Sequence, residues 1–192
     1  SKDGSFIVAQ YSDFGTPSEL VSVSTSSTAT EYRLTNSITE EFKKINWVIP
    51  EIIHFKSRDG KQIPAMIYKP ENFNPENKYP VVVFVHGAGY LQNVYRGWSY
   101  YYREYMFHHR LTQLGYIVYE VEYRGSAGYG RDFRTDVYMH LGGHDLDDEL
   151  DGIEYLKSLG YIDSARVGIY GGSYGGFLAL MGLFMSDTYA CG

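Results

Sequence analysis

One serine lies between two pairs of glycines in the segment VGIYGGSYGGFLAL (167–180), and its spacing suits nucleophilic catalysis. Gly171, Ser173 and Gly175 fit the pattern G-x-S-x-G, in which a very tight turn joins a strand to a helix. The pattern predicts a strained backbone at Ser173 that projects the hydroxyl above the sheet. Glycine is expected at 171 and 175 because strand and helix pass too closely there for a Cβ atom. Ser173 is therefore the predicted nucleophile, and the alternative is a glycine-rich turn with an incidental serine.

Backbone amides near Ser173 are placed to stabilise the oxyanion of an acyl-transfer reaction. A helix that begins at Tyr174 directs its N-terminal amides toward the serine. A second amide is expected where the buried strand 81–85 ends, in the turn His86-Gly87-Ala88-Gly89. His86 invites the role of general base, but a structural role in the turn is the favoured interpretation.

The elements around these residues alternate between strand and helix from residue 81 onward. An uninterrupted β-branched run predicts a strand buried on both faces at 81–85, and further strands are predicted at 116–123 and 166–170. Capping glycines and apolar spacing predict helices at 98–115, 145–160 and 174–185. Units of this length predict an α/β fold with a mostly parallel sheet and flanking helices.

The first part of the chain has a different pattern. Three short strands at 5–12, 19–26 and 30–37 predict an antiparallel meander. A hairpin over 51–57 and 61–70 follows, with Asp59-Gly60 in its turn.

Composition excludes several classes of function. The net charge of −6 argues against a nucleic-acid partner. The longest apolar run, 177–185, is far shorter than the ~20 residues that span a bilayer. Cys191 is the single cysteine, so no intrachain disulfide forms and the compartment stays open among cytoplasmic, periplasmic and secreted.

Two further clusters invite cofactor or metal sites, and both are set aside. GSAGYG (125–130) spaces its glycines wrongly for a dinucleotide. The acids of HDLDDELD (144–151) are interpreted as a solvated helix start that complements the helix dipole. His108 and His109 are adjacent and would face apart on a helix. His140 and His144 have a spacing of four, but Gly142-Gly143 between them disfavours a helix. No metal and no cofactor are predicted.

The chain resembles the prolyl oligopeptidase family of serine peptidases. Four segments carry the resemblance in the family's order: YPVVVFVHGAGY (79–90), YRGSAGYGRDF (123–133), DLDDELDGIEYL (145–156) and RVGIYGGSYGGF (166–177). The resemblance implies an α/β-hydrolase fold, truncated, with the first part of the catalytic domain at 46–192. It also implies that residues 1–45 are a remnant of the last β-propeller blade.

The resemblance assigns roles to individual residues. Ser173 matches the nucleophile, Tyr174 supplies one oxyanion amide, and Gly87 or Ala88 supplies the other. His86 stands where dipeptidyl peptidase IV has an oxyanion tyrosine, so the turn is closer to the acylaminoacyl-peptidase type. Three side chains are expected to line the cleft: His86, Arg124 and Tyr129. A loop-organising role is the alternative for Arg124.

A catalytic triad also needs an acid and a base, which follow the nucleophile in α/β-hydrolases. Residues 174–192 contain Asp187 but no histidine. We therefore expect the chain to be part of a longer serine peptidase that cleaves short peptides, and to be inactive alone. The alternatives are a carboxylesterase or other acyl hydrolase, and a non-catalytic interaction module. Assembly of the parent into homo-oligomers stays open.

Overall fold

The computed structural model describes all 192 residues, whose eight strands form two separate sheets. The chain divides into one unit of residues 1–49 with 96–102 and a second of 50–95 with 103–192. No helix in the structure combines the length and the apolar character that crossing a bilayer requires.

The first unit is built on a three-stranded antiparallel sheet in the order β1-β2-β3. Its elements are β1 (Phe6–Asp13), β2 (Thr16–Ser24), β3 (Glu31–Arg33) and the short helix α1 (Glu40–Lys43). The predicted meander is confirmed, although the third strand is shorter than expected.

A distant segment of the chain, 96–102, completes this unit. Arg96 pairs with Asp13, with Nε 3.0 Å from Oδ1. The Trp98 ring packs edge-on against Phe42 and Trp47, at centroid distances of 5.6 and 6.4 Å. The sequence pattern assigned 96–102 to the later part of the chain, because nothing local marks its long-range partners.

The second unit contains a five-stranded sheet in the order β4-β5-β7-β6-β8. Its strands are β4 (Glu51–Lys56), β5 (Gln62–Tyr68), β6 (Tyr79–Val85), β7 (Ile117–Val121) and β8 (Ile162–Gly171). The helices that follow α1 are α2 (Tyr102–Gln113), α3 (Arg131–Thr135), α4 (His144–Ser158) and α5 (Tyr174–Met185). Strands β7, β6 and β8 are parallel, whereas β4 and β5 form the predicted antiparallel hairpin. The sheet is thus mixed, with a parallel part formed by β7, β6 and β8.

The two faces of the central strand β7 differ in polarity. Tyr119 and Val121 face α4, which approaches so closely that a Cβ on Gly152 would lie 3.0 Å from each of them. Glu120 faces the other way and lies 2.8 Å from the Nδ1 atom of buried His108. The sheet therefore packs against α4 on one face and buries the contact between Glu120 and His108 on the other.

Helix α4 also buries a carboxyl group without a partner. Glu149 is completely buried, and neither of its carboxyl oxygens has a hydrogen-bond partner. Burial, followed by the charges of Asp148 and Asp145, raises the pKa of Glu149 well above its ordinary value. The folded state therefore holds this proton more tightly than the unfolded state, so the contribution to stability is present at low pH and is lost as the pH rises.

We expect Glu149→Gln to stabilise the chain at neutral pH. At pH 7.5 the gain should be about 1–3 kcal/mol, because a neutral amide avoids the cost of protonating a group that is ionised when unfolded. At pH 4.5 the gain should nearly vanish. Urea denaturation of both proteins at the two pH values measures this. An equal gain at both values, or a loss at pH 7.5, would contradict the assignment.

Candidate active site

Ser173 lies in the turn between β8 and α5. Its backbone angles are φ 56° and ψ −120°, and its side chain is exposed. Few non-glycine residues adopt such a conformation, so the strained turn expected from the sequence is confirmed. Gly175 donates its N–H to the carbonyl of Gly172 at 2.9 Å, which closes the turn beneath the serine.

The glycine spacing follows from how closely three backbone segments pass. A Cβ on Gly171 would lie 2.6 Å from the Val85 carbonyl oxygen and 2.6 Å from the Gly175 carbonyl carbon. A Cβ on Gly175 would overlap the Val85 carbonyl outright. A Cβ on Gly172 would meet nothing within 4 Å. The outer glycines of G-x-S-x-G are thus fixed by the carbonyl at the end of β6, whereas Gly172 is under no such constraint.

The turn after β6 emerges beside the serine. Val85 pairs with Gly171 in parallel register, so both strands end at the same edge of the sheet. Ala88 has a positive φ of 44°, and its carbonyl accepts the Leu91 N–H at 2.8 Å. A Cβ on Gly89 would lie 3.2 Å from the Tyr174 ring. The structure thus brings the 86–89 turn, Ser173 and the start of α5 together, where the first amides of a helix lack intrahelical acceptors.

The Tyr174 side chain is held by an aspartate. Its hydroxyl donates to Asp145, a completely buried residue that also accepts the N–H groups of Gly142 and Leu146 at 3.2 and 3.0 Å. Burial, and then the hydrogen bond to Asp145, raises the pKa of the tyrosine. The ring that lies against Gly89 is therefore fixed at its hydroxyl end.

This finding corrects the interpretation of 144–151 as a solvated acidic face. Asp145, Asp148 and Glu149 are each completely buried. The interpretation is wrong for these three because α4 turns them toward the protein interior. Only the remaining acids fit it, and Asp147 and Asp151 bind Arg58 there.

His86 is completely buried and does not contact the serine hydroxyl. Its Nδ1 lies 2.9 Å from the Gly87 carbonyl, and its Nε2 lies 3.1 Å from Ser126 Oγ. The imidazole stacks on Tyr123 at a centroid distance of 4.3 Å. These contacts fit the structural role in the turn that the sequence favoured for His86 over that of a general base. Because none of its surface is exposed, His86 offers a substrate no contact in this structure.

Arg124 is also completely buried, among carboxylates from three parts of the chain. Its guanidinium bonds Asp148 through Nε and Nη2 at 2.9 and 2.8 Å, and Nη1 bonds Asp136 at 3.0 Å and also Asp59. The side chain therefore organises loops, the alternative role named above, and exposes no surface to a cleft.

Tyr129 is half-buried. Its hydroxyl donates to the Val94 carbonyl at 3.0 Å, and its ring lies 5.1 Å from Phe133. Burial, and then the charge of Glu122, raises the pKa of this tyrosine to about 12. Of the three expected cleft residues, Tyr129 alone retains exposed surface.

Known proteins resemble this chain in sequence and in overall fold. The model of the prolyl oligopeptidase family matches residues 98–192, which include the serine turn. Dipeptidyl peptidase 8 of Homo sapiens is 38% identical over 145 residues, covering 73% of the chain and 16% of that protein. The Pyrococcus horikoshii acylaminoacyl peptidase structure is 31% identical with a TM-score of 0.77, covering 96% of the chain and 28% of that one. The Porphyromonas gingivalis dipeptidyl peptidase 4 structure is 30% identical with a TM-score of 0.76, covering 93% and 25%.

The chain belongs to the prolyl oligopeptidase family. Its mixed sheet and flanking helices are those of the α/β-hydrolase domain in this family. The chain spans between about one sixth and just over one quarter of the length of these relatives.

A second family model, described as platelet-activating factor acetylhydrolase, isoform II, matches residues 30–139. That range contains β4 to β7 and the turn after β6, but it ends before the serine turn. The match therefore concerns the first strands of the hydrolase sheet, whereas the prolyl oligopeptidase match includes Ser173.

Sequence reasoning missed two buried acids beside the site, Asp145 and Glu122. Both carboxylates are completely buried, and Glu122 follows directly on β7. The segment YIVYEVEY (116–123) carried a signal for the second, because a glutamate in a predicted central strand must find buried donors. No comparable local signal marked Asp145.

Proposed function

We propose that Ser173 is the nucleophile of a serine peptidase that hydrolyses short peptides. The observation that carries this proposal is the strained, exposed Ser173 between the parallel strand β8 and the N-terminus of α5. Names of the relatives support peptides as the substrate class, since they include dipeptidyl and acylaminoacyl peptidases.

The reaction that fits the site proceeds through an acyl-enzyme. Ser173 Oγ attacks the scissile carbonyl carbon and loses its proton to a base. The carbonyl oxygen becomes an oxyanion that accepts hydrogen bonds from the Tyr174 amide and from Gly87 or Ala88. The C–N bond then breaks, the amine leaves with a proton, and water releases the acyl group from Ser173.

We place the base outside the 192 residues. No histidine of the chain is hydrogen-bonded to Ser173, and His86, which follows the strand paired with β8, is bound to Ser126 and Gly87. We further propose that residues 46–192 are the first part of a hydrolase domain. Residues 1–45 would be the remnant of a propeller blade, which their antiparallel sheet supports.

A carboxylesterase or other acyl hydrolase is the second candidate. It is favoured by the acetylhydrolase match over residues 30–139. The same nucleophile and oxyanion donors cleave esters and amides, so only the substrate separates the two.

Labelling with a fluorophosphonate tests the nucleophile. We expect the full-length enzyme to be labelled on Ser173, as located by peptide mass spectrometry, and the Ser173→Ala variant to remain unlabelled. The 192-residue chain alone should react far more slowly, because nothing in it removes the serine proton.

Substrates then separate the candidate functions. Cleavage of a dipeptidyl or N-acylaminoacyl p-nitroanilide supports the peptidase, whereas turnover of only p-nitrophenyl esters supports the esterase. A folded full-length protein that is neither labelled nor active on either class would be a non-catalytic module, and the proposal would be wrong.

A further inference from the structure

We infer that Glu122 is a positioning residue that fixes the turn carrying the oxyanion donors. The inference rests on the proposed function of Ser173. It concerns a carboxylate that takes no part in the chemistry itself and touches no substrate, because it is completely buried.

The Glu122 carboxylate accepts hydrogen bonds from the loop that follows the turn 86–89. The Asn93 amide lies 3.0 and 2.9 Å from its two oxygens, and the Val94 amide donates to Oε2 as well. The Tyr129 hydroxyl lies 3.5 Å from Oε2. A buried carboxylate is stable only when donors surround it, and here two of them are consecutive backbone amides.

The same carboxylate reaches the turn from its other side through His86. The imidazole Nε2 lies 3.3 Å from Glu122 Oε1, and the ring is held further by Ser126 Oγ and by stacking on Tyr123. The Tyr123 hydroxyl donates to the His86 carbonyl at 2.8 Å. Glu122 therefore contacts the chain at His86 and accepts hydrogen bonds from Asn93 and Val94, which lie on either side of Gly87 and Ala88 in the sequence.

The backbone of Glu122 is hydrogen-bonded to the sheet. Its own N–H donates to the Pro64 carbonyl of β5 at 2.9 Å, so its backbone is anchored beside the central strand β7. Rigidity matters because Ala88 holds a positive φ of 44°, which persists only where surrounding contacts determine it. Without the carboxylate, the turn is expected to relax and move its amides away from the oxyanion.

Replacement of Glu122 by glutamine tests this role. The side-chain amide retains the volume, but it has one acceptor oxygen instead of two and carries no charge. The hydrogen bonds from the Asn93 and Val94 amides therefore weaken, and the carboxylate oxygen that faces His86 Nε2 is lost. In the full-length enzyme we expect kcat to fall about 10- to 100-fold, with KM changed less than about threefold. In the 192-residue chain, the Asn93 and Val94 amides should exchange with solvent about tenfold faster or more.

The matched control is Glu149→Gln, the same substitution at a buried carboxylate that has no contact with the turn. It should leave kcat and the exchange of residues 86–94 unchanged. Ser126→Ala, which removes one contact of His86, should lower kcat by about threefold to tenfold and decides the question where Glu122→Gln does not fold.

The outcomes separate this role from the proposed function. An enzyme that keeps its activity in Ser173→Ala overturns the function itself. An enzyme that needs Ser173 but keeps its kcat in folded Glu122→Gln, or loses activity through KM alone, overturns the positioning role. Unchanged kcat in Ser126→Ala, when Glu122→Gln is unfolded, overturns it too.

Discussion

The Arg124→Met variant will be less stable than the unaltered chain by about 3–5 kcal/mol, the usual cost of removing one partner of a buried ion pair. Asp148 determines this cost, because it is completely buried and loses both guanidinium contacts. In the variant, Asp136 retains its ion pair with Lys61, and Asp59 retains its hydrogen bond from Ser57. Those two carboxylates therefore contribute less to the loss of stability. Thermal unfolding should show a midpoint lower by about 6–20 °C.

The destabilisation should depend on pH in a defined direction. Burial raises the pKa of Asp148 to about 6 even though Arg124 opposes the shift. Loss of the cation raises that pKa further, so the carboxyl group becomes neutral in the folded variant over a wider range. The penalty therefore shrinks as the pH falls toward 4, where the unfolded carboxyl group also takes up its proton, and it is larger at pH 7.5 than at pH 5.

Arg58→Met is the matched control. Arg58 also pairs with two aspartates, Asp147 and Asp151, but its side chain is 52% exposed. Exposed pairs contribute about 0–1 kcal/mol, so the midpoint should move by no more than a few degrees. An equal loss of stability in the two variants would show that burial does not account for the stabilisation by the ion pairs of Arg124.

The Gly175→Ala variant will lose about 3 kcal/mol of stability, or fail to accumulate as folded protein. Alanine suits a helix better than glycine by about 1 kcal/mol, but the added Cβ overlaps the Val85 carbonyl, and backbone cannot move aside cheaply. The midpoint of thermal unfolding should fall by about 6–12 °C.

Gly172→Ala provides the comparison within the same turn. A Cβ there meets nothing within 4 Å, so the midpoint should change by no more than about 2 °C. Gly171→Ala should resemble Gly175→Ala, since its Cβ also lies 2.6 Å from the Val85 carbonyl oxygen. A stable Gly175→Ala protein would refute the close approach of β6 to α5.

The serine turn could be predicted from sequence because its constraints are local. Gly171, Ser173 and Gly175 are separated by single residues, and the strand before and helix after them have clear apolar patterns. The backbone strain and the neighbouring strand 81–85 follow from that pattern together with general rules for parallel sheets.

The supporting contacts could not be predicted, because their partners are far apart in the chain. Arg124 meets Asp59 and Asp148 across dozens of residues, and the pattern gives no hint of either pairing. The acidic run 144–151 was misjudged for the same reason: composition favours a solvated face, and only the tertiary packing turns Asp145 and Asp148 inward.

The first unit is built from two separate stretches of the chain, 1–49 and 96–102, and this affects when it can fold during synthesis. Residues 1–49 leave the ribosome before Arg96 and Trp98 are synthesised. Asp13 cannot form its ion pair with Arg96, and Phe42 and Trp47 cannot pack on Trp98, until those residues follow. The first unit therefore reaches its full set of contacts only after β4, β5 and β6 of the second have left the ribosome. A chain divided between residues 49 and 50 would leave neither piece an intact first unit. Residues 1–49 would lack Trp98, and the other piece would carry Trp98 without Phe42 and Trp47.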